Sequence, residues 1–236
     1  SCLASKKMNR EKDIFNSITD LERYLSDRLL RPLPGLVSQL KMSVRPDSAF
    51  INDRQKSRQP WPASVLVLLY PYQQEIYLVL IKRSGQVRHH QHQISFPGGQ
   101  KEEGESLEQA ALREAKEEIN VDPARIRLIG RLTSLYIETS NYCLYPMLAT
   151  ASLRPDFRPS PQEVAEIIEL PLAHLCDRKI RKEEWQWLRG QVVLVPFFEF
   201  NGYKIWGATA MVMAELIDIL REKEKPASLA NQRNPG

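Results

Sequence analysis

The stretch FPGGQKEEGESLEQAALREAKEEINV, residues 96–121, constrains the fold more than any other part of the chain. Its Pro-Gly-Gly opening cannot sit inside a helix, whereas Ser106 followed by Gln109 fits a capping box that starts a helix at Leu107. At 3.6 residues per turn, Leu107, Ala111, Leu112, Ala115 and Ile119 share one arc of about 140°. Glu114, Glu117 and Glu118, at i, i+3 and i+4, share an adjoining arc of roughly 100°. The small Ala115 lets the apolar side lie close to a sheet, and Asn120 is placed to end the helix in a left-handed cap.

Crowded like charges destabilise a helix unless something positive stands among them. One reading of the triplet is an acidic solvated face, which is common. The other is a hard oxygen site: the carboxylates border the buried stripe, and the Gly98-Gly99 turn can bring backbone carbonyls near. Such ligands suit Mg2+ or Mn2+.

The rest of the chain places this stretch inside a mixed α/β domain. Residues 13–30 have helical spacing through Ile14, Ile18, Leu21, Leu25 and Leu29, and residues 31–62, polar and proline-containing, read as an irregular connector. Strand-like ASVLVLLY and EIYLVLIKR flank a hairpin turn at PYQQ. IRLIGRLTSLYIE and YCLYPMLATA read as strands joined near TSN; VVLVPFFEF and YKIWG flank Asn201-Gly202, a strong hairpin signal. A last helix is expected from about Ala208, followed by a charged tail. Helices between hairpin-linked strands predict an α/β sandwich around a mixed sheet. The expected organisation is a helical arm and connector over 1–60, a globular domain over 61–222 and a flexible tail over 223–236.

Composition excludes several classes. No apolar run approaches the roughly 20 residues of a membrane helix, and the first residues do not form a secretory signal. Cys2, Cys143 and Cys176 are too few and scattered for a disulfide framework, so a reducing, cytoplasmic setting is expected. The net charge of +4 suits an anionic small molecule, and no basic tract is dense enough for nucleic acid.

The quoted stretch resembles the box of the Nudix hydrolases. Gly99, Glu105, Arg113, Glu114, Glu117, Glu118 and Val121 fall in its register. Ala115 is smaller than the usual aliphatic, and Asn120 stands where the final glycine is usual. The resemblance implies a Nudix α/β/α sandwich, metal binding by Glu114, Glu117 and Glu118 with the Gly99 carbonyl, and a structural role for Glu105 and Arg113. It also implies cleavage of a nucleoside diphosphate linked to another group, with Mg2+ or Mn2+. Glu117, Glu118 and Glu163, the last in SPQEV, are the candidates for the general base. A surface or helix-start carboxylate is the equal alternative for Glu163.

Upstream, VLIKRSGQVRHHQHQISFPGG is similar to the motif of the coenzyme A pyrophosphatase branch, with Arg83, Ser84, Arg88 and Phe96, Pro97, Gly98, Gly99 in register. Ile81, Gly85 and His92 replace a threonine, an alanine and a glycine of that motif. The expected activity is cleavage of coenzyme A or its derivatives to 3′,5′-ADP and 4′-phosphopantetheine. The alternatives are another pyrophosphate, such as ADP-ribose or a dinucleotide, and a non-catalytic sensing domain. Arg83, Arg88, His92 and Phe96 are the expected substrate contacts, although the two arginines also fit strand-end surface charges. His89, His90 and His92 read as an exposed loop, a substrate contact or, less readily, a soft-metal site; His174 reads as a helix or surface residue. Trp185, Trp187, Phe197, Phe198, Tyr203 and Trp206 read mainly as core, with one or two available to stack an adenine. The resemblance favours a homodimer; the arm packs on the domain, covers the pocket or joins that interface.

Overall fold

The computed structural model describes residues 15–45, 59–85, 93–188 and 190–224. Its centre is β1 (Trp61–Tyr72), whose residues from Ala63 to Tyr70 are all buried. Alternation along β1 divides the core in two. Leu66, Leu68 and Tyr70 pack with α3 (Leu107–Ile119) on one face, while Val65, Val67 and Leu69 pack with α1 (Ile18–Arg28) and α5 (Gly207–Arg221) on the other. Burial on both faces explains why the strand reads as a continuous apolar run rather than an alternating one.

β1 pairs in antiparallel fashion with β2 (Glu75–Arg83) and β4 (Gly98–Gln100), and in parallel with β7 (Tyr142–Ala151). β3 (Ile94–Ser95) and β8 (Val164–Pro171) extend the sheet from β2; β5 (Ile126–Arg131) and β6 (Leu135–Ile137) pair with β7. The eight-stranded sheet is therefore mixed, with α3 on one face and α1 and α5 on the other. The short α4 (Leu172–Cys176) follows β8. β9 (Arg181–Leu188), β10 (Gln191–Phe200) and β11 (Tyr203–Trp206) form a separate three-stranded sheet. Both expected hairpins turn through two residues with positive φ: Gln73 and Gln74 between β1 and β2, and Asn201 and Gly202 between β10 and β11.

The structure departs from the sequence reading at four places. The first helix begins at Ile18 because the Ser17 hydroxyl caps it by accepting from the Asp20 N–H at 3.1 Å. The stretch 126–137 is two strands, not one, because the intervening Thr133 gives its N–H and hydroxyl to Glu215 of α5. Trp185 and Trp187 are not core: they are 68% and 71% exposed, on the outer face of the edge strand β9. The supposed connector contains α2 (Gly35–Gln39) and a 3-10 turn over Leu40–Met42, and Arg45 then pairs with Leu194 of β10.

What orders that connector is one buried acid. Glu215 accepts from the Gly35 N–H (3.2 Å), Gln39 Nε2 (3.1 Å) and the Thr133 hydroxyl (2.6 Å), tying α2 and the β5–β6 junction to α5. Nearby, the Tyr24 hydroxyl donates to the Ile219 carbonyl, and Arg28 makes a two-pronged pair with Glu222 at 2.6 and 3.0 Å. Replacing Glu215 strands several donors in a dry site, at about 1–3 kcal/mol for an unsatisfied group. Glu215→Ala is expected to lose about 3 kcal/mol of unfolding free energy in urea titration; a loss below about 1 kcal/mol would show that the arm is held by other contacts.

Candidate functional site

The site is built around two glycines threaded between β1 and α3. β4 runs against the start of β1, with Gly98 opposite Val65 and Gly99 opposite Ser64. Gly98 has φ +150, and a Cβ there would lie 2.3 Å from the Ser64 carbonyl oxygen, so the backbone admits no side chain. At Gly99 a Cβ would meet the Glu114 carboxyl at 2.5 Å. The Gly98 N–H donates to Glu118 Oε2 at 2.9 Å, fastening β4 to the helix.

The boundaries of α3 fix where its carboxyl groups lie. The helix starts at Leu107 with both halves of the capping box formed and ends at Asn120 with φ +60. Ala111, Ala115 and Ile119 are buried against the sheet, and Glu118, at the border of that stripe, is only 1% exposed. Burial pushes the Glu118 carboxyl up to about 8, despite the Gly98 N–H and the Arg83 guanidinium that favour its ionised form. The Glu114 carboxyl is also raised by burial, against the pull of Arg113. Glu114 and Glu163 both add negative potential at Glu118, and Glu163 does so at Glu114, so the three acids converge on one region. Glu117 is more open, with Oε2 3.2 Å from Arg113 Nη1.

Two arginines set the electrostatics. Arg113 grips Glu105 through Nε (3.1 Å) and Nη2 (2.9 Å), and bonds the Gln100 carbonyl and Glu114, which holds the acidic loop to the helix. Its own pKa is raised, first by the Glu105 hydrogen bond. Arg83 lies 3.2 Å from Glu118 at the end of β2, where a β-bulge between Lys82 and Arg83 shifts the β2–β8 register.

Ser84, which carried no role in the sequence reading, sets the position of Glu163. Its N–H donates to the Glu163 carbonyl and its hydroxyl to the Gln162 carbonyl, both at 2.8 Å. The same loop closes the end of α3, with the Ser160 N–H on the Glu118 carbonyl and the Arg158 N–H on that of Ile119. Phe96 is 2% exposed and packs in the core. Arg88, His92, His89 and His90 lie outside the described residues. His174 sits in α4 with its ring edge-on to Phe200.

On the face of the sheet away from α3, a cavity of about 910 Å³ opens beside these groups. Arg83, Gly98 and Gly99 line one part; Leu36, Leu40, Met42 and Val44 of the arm line another. Trp206 lines it too, whereas Trp185 and Trp187 do not. The sequence reading missed the arm's contribution. The signal was the i, i+4 pair Leu36 and Leu40 after Pro34, obscured by the prolines around it.

Among the described residues, no three His, Cys, Asp or Glu groups stand as a preformed metal cage. Arg113 bridges Glu114 and Glu117, and Arg83 with the Gly98 N–H engages Glu118. The donor chemistry still fits a hard divalent cation: carboxylates cluster where burial disfavours their charge, a cost that a cation removes, and the lack of a side chain at Gly99 lets the Glu114 carboxyl pack against that backbone.

A sequence profile of the NUDIX domain matches residues 60–191. A Nudix hydrolase NudL from Cronobacter sakazakii is 33% identical over 217 residues, covering 89% of this chain and 99% of that protein. Nudix hydrolase 15, mitochondrial, of Arabidopsis thaliana is 31% identical over 176 residues, which is 70% of this chain and 60% of the plant protein. Nudix hydrolase 22, chloroplastic, of the same plant is 29% identical over 185 residues, or 75% and 60%. The aligned chain thus spans 60% of the length of each plant relative. The chain belongs to the Nudix family.

The two glycines are expected to separate stability from chemistry. Gly98→Ala collides with backbone and should cost about 2–3 kcal/mol in thermal or urea unfolding. Gly99→Ala meets only the tip of the Glu114 side chain, so it should keep the melting temperature within a few degrees. Its displaced carboxyl should weaken Mn2+ binding about tenfold by calorimetric titration. Equal effects of the two substitutions on stability would contradict this assignment.

Proposed function

We propose that the protein is a divalent-metal-dependent hydrolase that cleaves the pyrophosphate of coenzyme A or its derivatives to 3′,5′-ADP and 4′-phosphopantetheine. The carrying observation is the Gly98–Gly99 strand, bonded to Glu118 and packed on the Glu114 carboxyl, next to a cavity that Arg83 lines. The names of the relatives, Nudix hydrolases, support the reaction class. The register of Arg83, Ser84 and residues 96–99 with the branch motif supports the coenzyme as substrate, and Arg83 bonds Glu118 while Ser84 bonds the Gln162 carbonyl next to Glu163.

In this reading Glu114, Glu117 and Glu118, with the Gly99 carbonyl, hold Mg2+ or Mn2+. Bound there, the cation supplies neutralisation of the pyrophosphate and a more acidic water. Arg83, with donors to spare beyond Glu118, presents a planar fork to phosphate oxygens. Glu163 takes the proton of the attacking water; Ser84 and the end of α3 hold its loop against the acidic cluster. Glu118, engaged by Gly98 and Arg83, is the less available base.

The test is product analysis with coenzyme A, acetyl-coenzyme A, ADP-ribose and a dinucleoside polyphosphate, each with Mg2+ or Mn2+. Release of 3′,5′-ADP from the coenzyme is expected. Glu117→Gln should raise the Mg2+ or Mn2+ concentration needed for half-maximal activity, and Glu163→Gln should lower kcat by about 10²–10⁴-fold with KM little changed. Cleavage of only ADP-ribose or the dinucleotide would replace the substrate, and binding without turnover of any compound would replace catalysis by sensing.

A further inference from the structure

The cavity has two chemically distinct ends. Arg83 Nε, Ser95 Oγ and Ser140 Oγ, all on lining residues, are buried without a hydrogen-bond partner, so one part is prepared for polar ligand atoms. The other part is aliphatic: Leu36, Leu40, Met42 and Val44 of the arm line it together with Val193 and Met211, and Val44 packs directly on Val193. All six residues lie outside the segment 60–191 that matches the NUDIX profile. Leu36 and Leu40, one turn apart, are 56% and 47% exposed, and Tyr136, also lining the cavity, is 48% exposed. Apolar side chains gathered at a cavity and left open to water mark a site for an apolar ligand group.

We propose that this end is a subsite for an aliphatic acyl chain, so that the enzyme prefers coenzyme A thioesters with several methylenes over the free coenzyme. The inference rests on the coenzyme A reading above. The phosphate and amide parts of the coenzyme find no partners among Leu36, Leu40, Met42 and Val44, whereas an alkyl chain removes the exposed surface of Leu36 and Leu40 from water. Each buried methylene contributes about a fourfold gain in affinity. The position of α2, fixed through Glu215, then sets the chain length that fits.

The test measures kcat/KM for free coenzyme A and its acetyl, hexanoyl and decanoyl thioesters, in wild type and in Leu36→Ser, Leu40→Ser and the double variant. Circular dichroism melts check that the variants are folded, which two half-exposed positions should allow. In wild type kcat/KM is expected to rise at least tenfold from acetyl to the best longer chain, and the double variant to flatten that slope. Equal kcat/KM across the series in wild type would discard the subsite and leave the coenzyme reading standing. If no coenzyme compound is cleaved, the coenzyme reading falls, and titration with a dansyl-labelled fatty acid decides the subsite alone. Saturable binding weakened in the double variant keeps it; no saturable binding overturns it.

Discussion

The Gly98 N–H donating to the buried Glu118 carboxyl joins the two halves of the site, and much of the local architecture exists to permit it. β4 must come close enough to α3 for an amide to reach a carboxyl that is 1% exposed. That demands glycine at 98, where the Ser64 carbonyl leaves no space, and small residues at 111 and 115, where the helix lies on the sheet. The capping box at Ser106 and the left-handed Asn120 fix where the helix starts and stops, and hence which turn carries each acid. Arg113 then binds the acidic loop back onto the helix through Glu105 and the Gln100 carbonyl.

The cost of this packing is electrostatic. Burial raises both Glu114 and Glu118, and the negative charge of Glu163 adds to the effect. Burial disfavours the charged form of such carboxylates, and the nearby arginines and the Gly98 N–H favour it. The raised carboxyls and the two arginines among them are the same balance seen from opposite sides.

The parts readable from sequence were those governed by local rules. The capping box, the 3.6-residue stripe of α3 and the two-residue hairpin at Asn201-Gly202 each depend on neighbours within a few residues, and the structure has them. The parts that escaped depend on distant groups. Nothing near Thr133 announces that Glu215, far along the chain, will take its N–H and split one strand into two. Gly35 and Gln39 look like connector residues because their partner is the same distant carboxyl. Trp185 and Trp187 alternate as strand residues should, but the pattern carries no sign of which face is covered. Ser84 was visible as a motif position, while its role needed the loop at 160–164 to be brought beside it.

The central sheet also acts as a partition. α3 and its acids belong to the packing cluster on one face, while α1, α5 and the arm's Met42 belong to the other. Glu215 fastens the arm on its own face without touching any residue of α3. The arm's part of the cavity wall is therefore held by contacts separate from those of α3, whereas Arg83, Gly98 and Gly99 line the part that touches the acids. Substitutions at the leucines of α2 touch none of the bonds that hold Glu114, Glu117 and Glu118, so the arm and the acidic box are free to diverge separately over evolutionary time.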